Sequence, residues 1–155
     1  MTITLEAIEA EHSRIGALIE EFRKQPRASE YRIAAATIPL AAGERLAGSV
    51  LNDDGTLKHY LILLPGEAKS VEHKAAMTWA DKLGGSLPTR QEQALLYANL
   101  KHEFAGAYYW SCETHESDSG WAWCQDFGYG SQGSLDEDSK LRARAVRRVI
   151  VQGES

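Results

Sequence analysis

Apolar residues Leu5, Ile8, Ile15, Ile19 and Phe22 recur at alternating three- and four-residue spacings, and His12 stands where the next member of the series belongs. That spacing predicts an amphipathic helix over residues 1–25 with one narrow seam, opened by Thr4 as N-cap and Glu6 in its first turn. Glu9, Glu11, Arg14, Glu20, Glu21 and Arg23 keep the flanks charged. Such a seam either packs back onto its own domain or joins copies of the chain through Leu5, Ile8, His12, Ile15, Ile19 and Phe22. The polar run Lys24, Gln25, Pro26, Arg27 detaches the helix from the rest of the chain, which favours a homo-oligomer. Residues 26–31 then read as a linker.

From Tyr31 the pattern shortens to β-type runs, so Tyr31–Leu40, Arg45–Leu51 and Leu57–Leu64 are expected as strands. Between the last two, Asn52, Asp53, Asp54 and Gly55 form a hairpin turn, because glycine takes the positive φ that such a turn needs. An EF-hand loop would need an acidic residue where Val50 stands, so the acidic run is read as a plain turn. Ser70 is expected to cap a helix that carries Glu72 in its first turn and Ala75, Ala76, Trp79, Ala80 and Leu83 along one side, ending at Gly84 and Gly85. Thr89 followed by Glu92 is a capping box that opens a second helix, with Leu95, Leu96 and Leu100 on its buried face.

Beyond Phe104 the chain is dense in aromatics set among Gly, Ser and acidic residues. Alternation over Trp121–Asp126 places Trp121, Trp123 and Gln125 on one strand face and Ala122, Cys124 and Asp126 on the other. A last strand is expected over Leu141–Val151. There Arg147 shares a face with Ala143 and Ala145, which calls for a bulge or an inward arginine paired with a carboxylate.

The 155 residues, 43% apolar and 25% charged, suffice for one core. A formal charge of −5 argues against a general nucleic-acid binder, which needs clustered Lys and Arg to neutralise phosphate. The start MTITLEAIEAEH has no basic and apolar leader pattern, and no apolar run reaches membrane-spanning length, so no membrane association is expected. Two cysteines, Cys112 and Cys124, are expected as reduced thiols, which places the protein in the cytosol, where a virion component would also be assembled.

Taken in order, the hairpin ending in LLPGEA, the segments MTWADKLGG, LPTRQEQALLYANL, YYWSCE and WAWCQDFGYG, and the closing RARAVRRV resemble an uncharacterised family of C-type-lectin-like domains of bacteria and phages. That family is related in fold to phage tropism determinants and bacterial adhesin tips. The resemblance covers residues 32–151. It implies an α+β domain with two helices and short antiparallel sheets, here preceded by the N-terminal helix, that binds a protein or glycan partner and is phage-encoded. The Glu-Pro-Asn or Gln-Pro-Asp loop of calcium-dependent sugar-binding lectins is missing, and Trp123–Asp126 matches their Trp-Asn-Asp strand only loosely, so calcium-dependent sugar binding is not expected.

Candidate chemistry is sparse. Gly128–Gly133 fits G-x-G-x-x-G, but no apolar helix period comes after it, so a recognition loop rather than a dinucleotide site is read there. His115, Glu113, Glu116 and Asp118 crowd one loop without the spacing of metal ligands, and Ser131 lacks a nucleophile elbow. No metal and no cofactor is expected. The arginines Arg142, Arg144, Arg147 and Arg148, with Lys140, are read as pairing with Asp126, Asp136, Glu137 or Asp138 rather than with a polyanion. The leading expectation is a non-catalytic binding module whose ligand surface is Tyr108, Trp110, Trp121, Trp123, Gln125, Tyr129, Ser131 and Gln132. The alternative is an intracellular phage factor that inhibits a host protein or sequesters a small signalling molecule. A cysteine-dependent oxidase using Cys112 and Cys124 ranks last.

Overall fold

A computed structural model describes residues 2–151. The chain divides into two compact units, Met1–Ala35 and Ala36–Ser155. The first holds α1 (Leu5–Lys24), where Thr4 is extended and its hydroxyl accepts from the Ala7 amide at 3.2 Å. Pairs Glu11–Arg14 and Glu20–Arg23 run along its exposed flank, each worth only a few tenths of a kcal/mol, roughly. No residue of α1 is buried within this unit, and its seam from Leu5 to Phe22 is exposed there.

The expected strand Tyr31–Leu40 does not form: these residues have no regular structure. Tyr31 and Ile33 are exposed, so no burial rewards extension, and Pro39 has no amide to give a ladder. Within the second unit, β1 (Arg45–Leu51) and β2 (Leu57–Leu63) form the expected hairpin, with Gly55 at φ +86° in its turn. The first departure is β3 (Ala68–Val71), which takes in Ser70. Ala68 and Val71 pair with a later strand, so Ser70 caps nothing, and α2 (His73–Lys82) instead starts after Glu72, which makes no side-chain cap bond. α3 (Arg90–Leu100) opens on Thr89 with the full capping box. A short 3-10 turn, Lys101–Glu103, comes next.

Five strands complete the unit: β4 (Tyr108–Thr114), β5 (Trp121–Asp126), β6 (Gln132–Asp136), β7 (Leu141–Ala143) and β8 (Val146–Val149). The single last strand expected over Leu141–Val151 is thus broken at Arg144 and Ala145, where the chain leaves one sheet for the other. The break is held by the buried Arg144, whose guanidinium donates to the Glu103 and Leu64 carbonyls at 2.6 and 2.9 Å. The sheets have the orders β1-β2-β8 and β3-β7-β4-β5-β6. All pairings are antiparallel except β4 with β7, which is parallel and departs from the all-antiparallel expectation.

Two cores result, one under each helix of this α+β unit. Ala76 and Ala80 of α2 pack with Leu64, Leu87, Trp110, Ala122 and Cys124. Leu96 and Leu100 of α3 pack with Leu61, Leu63, Tyr109, Phe127 and Val146. Tyr109 and Trp110 are neighbours in β4 and enter different cores, as strand alternation requires. Among the described residues, no helix is long and apolar enough to cross a membrane.

Candidate functional site

The register of β5 with β6 opposes Trp121 to Asp136, Trp123 to Ser134 and Gln125 to Gln132. Directly opposed residues share a sheet face, so these six form one surface, while Ala122, Cys124 and Leu135 turn into the α2 core. The alternation read from the sequence of β5 holds.

Trp123 is the centre of that surface. The Arg90 guanidinium lies 3.5 Å from the centroid of its ring, and the His115 imidazole stacks on it at 5.3 Å and 19°. Arg90 is positioned twice over: as the first residue of α3 its amide donates to Glu113 at 2.6 Å, and its Nε donates to Gln132 Oε1 at 3.1 Å. Gln132 returns its Nε2 to the Arg90 carbonyl at 2.7 Å and to Gln125 Oε1 at 2.8 Å. His115 is fixed by its Nδ1, which accepts from the amides of Ser117 and Asp118 at 3.2 and 3.0 Å. Beside the stack, the loop from Thr114 to Trp121 and Glu137 border a polar hollow of about 460 Å³. Trp121, 40% exposed, forms one wall.

Below the surface the polar chain continues inward. Gln93 is fully buried in α3 and donates to the Tyr109 carbonyl at 3.0 Å. Gln93 Oε1, Gln125 Nε2 and Trp123 Nε1 are buried without a hydrogen-bond partner among the described residues. The hydrogen-bonded row itself runs from Arg90 through Gln132 and ends at Gln125.

The eight expected ligand contacts separate. Trp121, Trp123 and Gln132 belong to this surface. Trp110 does not: it is fully buried, its indole donates to the Val71 carbonyl at 2.9 Å and its ring meets His73 edge-on. Gln125 lies on the right face but is buried beneath Gln132. Tyr108, at the far end of β4 opposite Asp126, and Tyr129 and Ser131, in the loop between β5 and β6, are exposed away from the Trp123 stack. Tyr129 is 91% exposed.

Arg90, His115 and Glu113 were not among those eight. Arg90 had a signal in the sequence, since a cation in the first turn of a helix opposes the helix dipole and needs another partner.

The basic strand end finds partners other than those expected. Arg142 pairs with Glu67 at 3.0 Å, Arg147 with Glu44 through two bonds at 2.8 and 2.9 Å, and Arg148 with Glu92 at 2.8 and 2.7 Å. These glutamates are far away in sequence, on elements the fold brings alongside, whereas Asp136, Glu137 and Asp138 sit at the β6 end. Glu92 also accepts from His59 at 2.8 Å and from the Thr89 amide at 2.9 Å. Burial pushes its carboxyl up, but the Arg148 and Thr89 hydrogen bonds, the Arg148 charge and the His59 bond outweigh that and hold it at about 2.

Both thiols are free. Burial raises Cys112, and burial followed by the Asp126 charge pushes Cys124 up to about 11, so both are protonated at neutral pH. Among the described residues, no three His, Cys, Asp or Glu side chains converge on a point that could hold a metal ion. No family model matches the chain, and no curated protein matches it.

Proposed function

We propose that the chain is a non-catalytic binding module built on a C-type-lectin-like scaffold, recognising a protein or glycan partner through the Trp121–Trp123 surface. One observation carries the reading: β5 gives one face to the core and displays two tryptophans on the other, backed by Arg90 and set beside a polar hollow. Aromatic rings with a fixed cation and amide neighbours offer stacking area and directional hydrogen bonds at little entropic cost. Protonated, desolvated thiols support a role without cysteine chemistry. The narrow apolar seam of α1 supports self-association, which would multiply weak sites into useful avidity.

The test is to probe immobilised glycan and peptide arrays with the full chain and with Trp121→Ala. Retention by members of one class, weakened about tenfold or more by the substitution, is the expected outcome. An array that retains neither protein, or both equally, counts against the reading.

The alternative, capture of a small molecule, is favoured by a different feature. A groove of about 450 Å³ lies between α2 and β8, lined by Met77, Asp81, Ser86, Leu87, Cys112 and Arg148. Native mass spectrometry of freshly purified protein decides it, since a mass equal to that of the bare chain removes this reading.

A further inference from the structure

The two sheets have four edges, and three of them are closed to pairing with another chain. β1 carries Arg45 and two register shifts. β3 carries the exposed Lys69 and a shift between Ala68 and Val71. β8 carries Arg147 and Arg148 and is already bridged by Ser86 at Val146. Charges, bulges and coverage are the devices that keep sheet edges from pairing with other strands. β6 has no bulge, and its single charge, Asp136, stands at the strand's end, which leaves Gln132, Gly133, Ser134 and Leu135 uncharged. A Cβ added at Gly133 would meet nothing within 4 Å.

The main-chain groups on that edge are set by the ladder. The Asp126 amide donates to Ser131 at 2.8 Å and the Glu137 amide donates to Gly120 at 2.9 Å, and both pairs continue the β5–β6 register. Hydrogen-bonded pairs alternate along an antiparallel ladder, so Ser131, Gly133, Leu135 and Glu137 face β5. Gln132, Ser134 and Asp136 therefore turn their amides and carbonyls outward. Among the described residues, only the Asp136 carbonyl of these has a partner in a turn, the Ser139 amide at 2.9 Å.

We infer that β6 is a pairing edge for a second copy of this chain, the two β6 strands running antiparallel about a two-fold axis at Ser134 and joining their sheets into one. In that register every outward-turned residue meets another: Ser134 faces Ser134 of the second copy, and Gln132 faces its Asp136. Isologous pairing of this kind is self-complementary. Charge agrees with it. The acidic run Asp136, Glu137, Asp138 of one copy comes opposite Gln132, Ser131 and Gly130 of the other, so no carboxylate meets a carboxylate. Asp136 of the second copy arrives beside Gln132, whose side chain is held by the Arg90 guanidinium. Each Trp123 surface would then be bordered by a carboxylate from the other copy. The inference stands whether that surface takes a glycan or a protein, and it is separate from association through α1.

Sedimentation velocity of the full chain tests it in an Ile15→Asp, Ile19→Asp background that disables the α1 seam. That protein is expected to be a dimer, a smaller assembly than the native chain forms. Adding Ser134→Pro should halve the mass to that of a monomer with an unchanged far-ultraviolet circular dichroism spectrum, because proline at an edge position loses only the outward amide. Gly133→Lys, placed in open space, should do the same by putting a charge on the edge. Two outcomes overturn the inference: a monomer in the Ile15→Asp, Ile19→Asp background, which would leave the edge to a foreign strand, or a dimer that neither Ser134→Pro nor Gly133→Lys disturbs. The α1 reading fails on a different result, an assembly state that Ile15→Asp, Ile19→Asp leaves unchanged.

Discussion

Arg148 and Glu92 join β8 to the N-terminus of α3 through two hydrogen bonds of 2.8 and 2.7 Å, with Glu92 almost wholly enclosed and Arg148 partly exposed. Glu92 is at once the closing residue of the α3 capping box, the acceptor for His59 of β2, and the counter-ion of Arg148. One carboxylate thereby ties together both strands of the β2–β8 pair and the helix that covers it. Replacing it with glutamine keeps the shape but strands a guanidinium. Glu92→Gln is expected to cost about 3–5 kcal/mol, the usual penalty for removing one partner of a buried pair. Urea unfolding at neutral pH measures it, and a loss below about 1 kcal/mol would mean the pair is solvated in practice.

The same group sets an acid limit. Its carboxyl lies at about 2 in the folded protein against an ordinary 4.5, a depressed value, so its contribution is complete above pH 4.5 and is lost as the pH falls toward 2. The difference corresponds to about 3 kcal/mol. Unfolding free energy measured across that window should fall steeply in the native sequence and less so in Glu92→Gln. Parallel slopes for the two proteins would assign the acid sensitivity to other carboxylates.

Gly85 admits no side chain. A Cβ there would stand 2.6 Å from the Val146 carbonyl oxygen, which is held in place by the Ser86 amide at 2.9 Å. Since the obstruction is backbone and cannot swing aside, Gly85→Ala should destabilise by about 1–3 kcal/mol, the usual range for overpacking. Gly16→Ala, in the middle of α1 with nothing near its Cβ, should instead raise helicity, by about 0.5–1 kcal/mol at that position. Thermal melts followed by circular dichroism separate the two signs.

The thiols give a kinetic prediction. Cys124 is nearly inaccessible and raised to about 11, while Cys112 is half-buried at the groove below α2. Alkylation at pH 8 should label Cys112 first, more slowly than a free thiol, and Cys124 only on unfolding. Rapid labelling of both in the folded protein would remove the argument against thiol chemistry.

Periodicity and capping made much of the fold legible in advance. The α1 seam, the Asn52–Gly55 turn, the Thr89 capping box and the two faces of β5 each rest on local spacing, and local spacing survives folding. The features that were not legible depended on partners distant in sequence. Ser70 looks like a cap until Ala68 and Val71 pair with β7, and Leu141–Val151 looks continuous until Arg144 finds the Leu64 and Glu103 carbonyls. The arginines were expected to pair with acids close by in the chain, whereas the fold supplies Glu44, Glu67 and Glu92. At the candidate site the sequence identified aromatics without their depth. Trp110 and Trp121 belong to the same Trp-rich stretch, and only the sheet register sends one into the core and leaves the other at the surface.

That difference in depth yields the sharpest contrast among variants. Trp110 Nε1 donates to the Val71 carbonyl, so Trp110→Phe removes a satisfied bond from the core, opens a void and leaves a carbonyl without its donor. A cost of about 2–4 kcal/mol is expected. Trp123 Nε1 is enclosed and makes no hydrogen bond of normal geometry among the described residues, although the Glu116 carboxylate lies close enough to feel it, so Trp123→Phe removes a donor whose desolvation is at most weakly offset. The ring that stacks on Arg90 and His115 is kept in smaller form, so stability should change by less than about 1 kcal/mol in either direction. If the Trp121–Trp123 surface is where the partner docks, Trp123→Phe should nevertheless weaken retention on the arrays, because the smaller ring shortens the stacking platform. Unfolding midpoints and array retention measured on the same two proteins test both halves. A Trp123→Phe variant that unfolds as easily as Trp110→Phe would show that the stack is a structural clamp rather than a recognition surface.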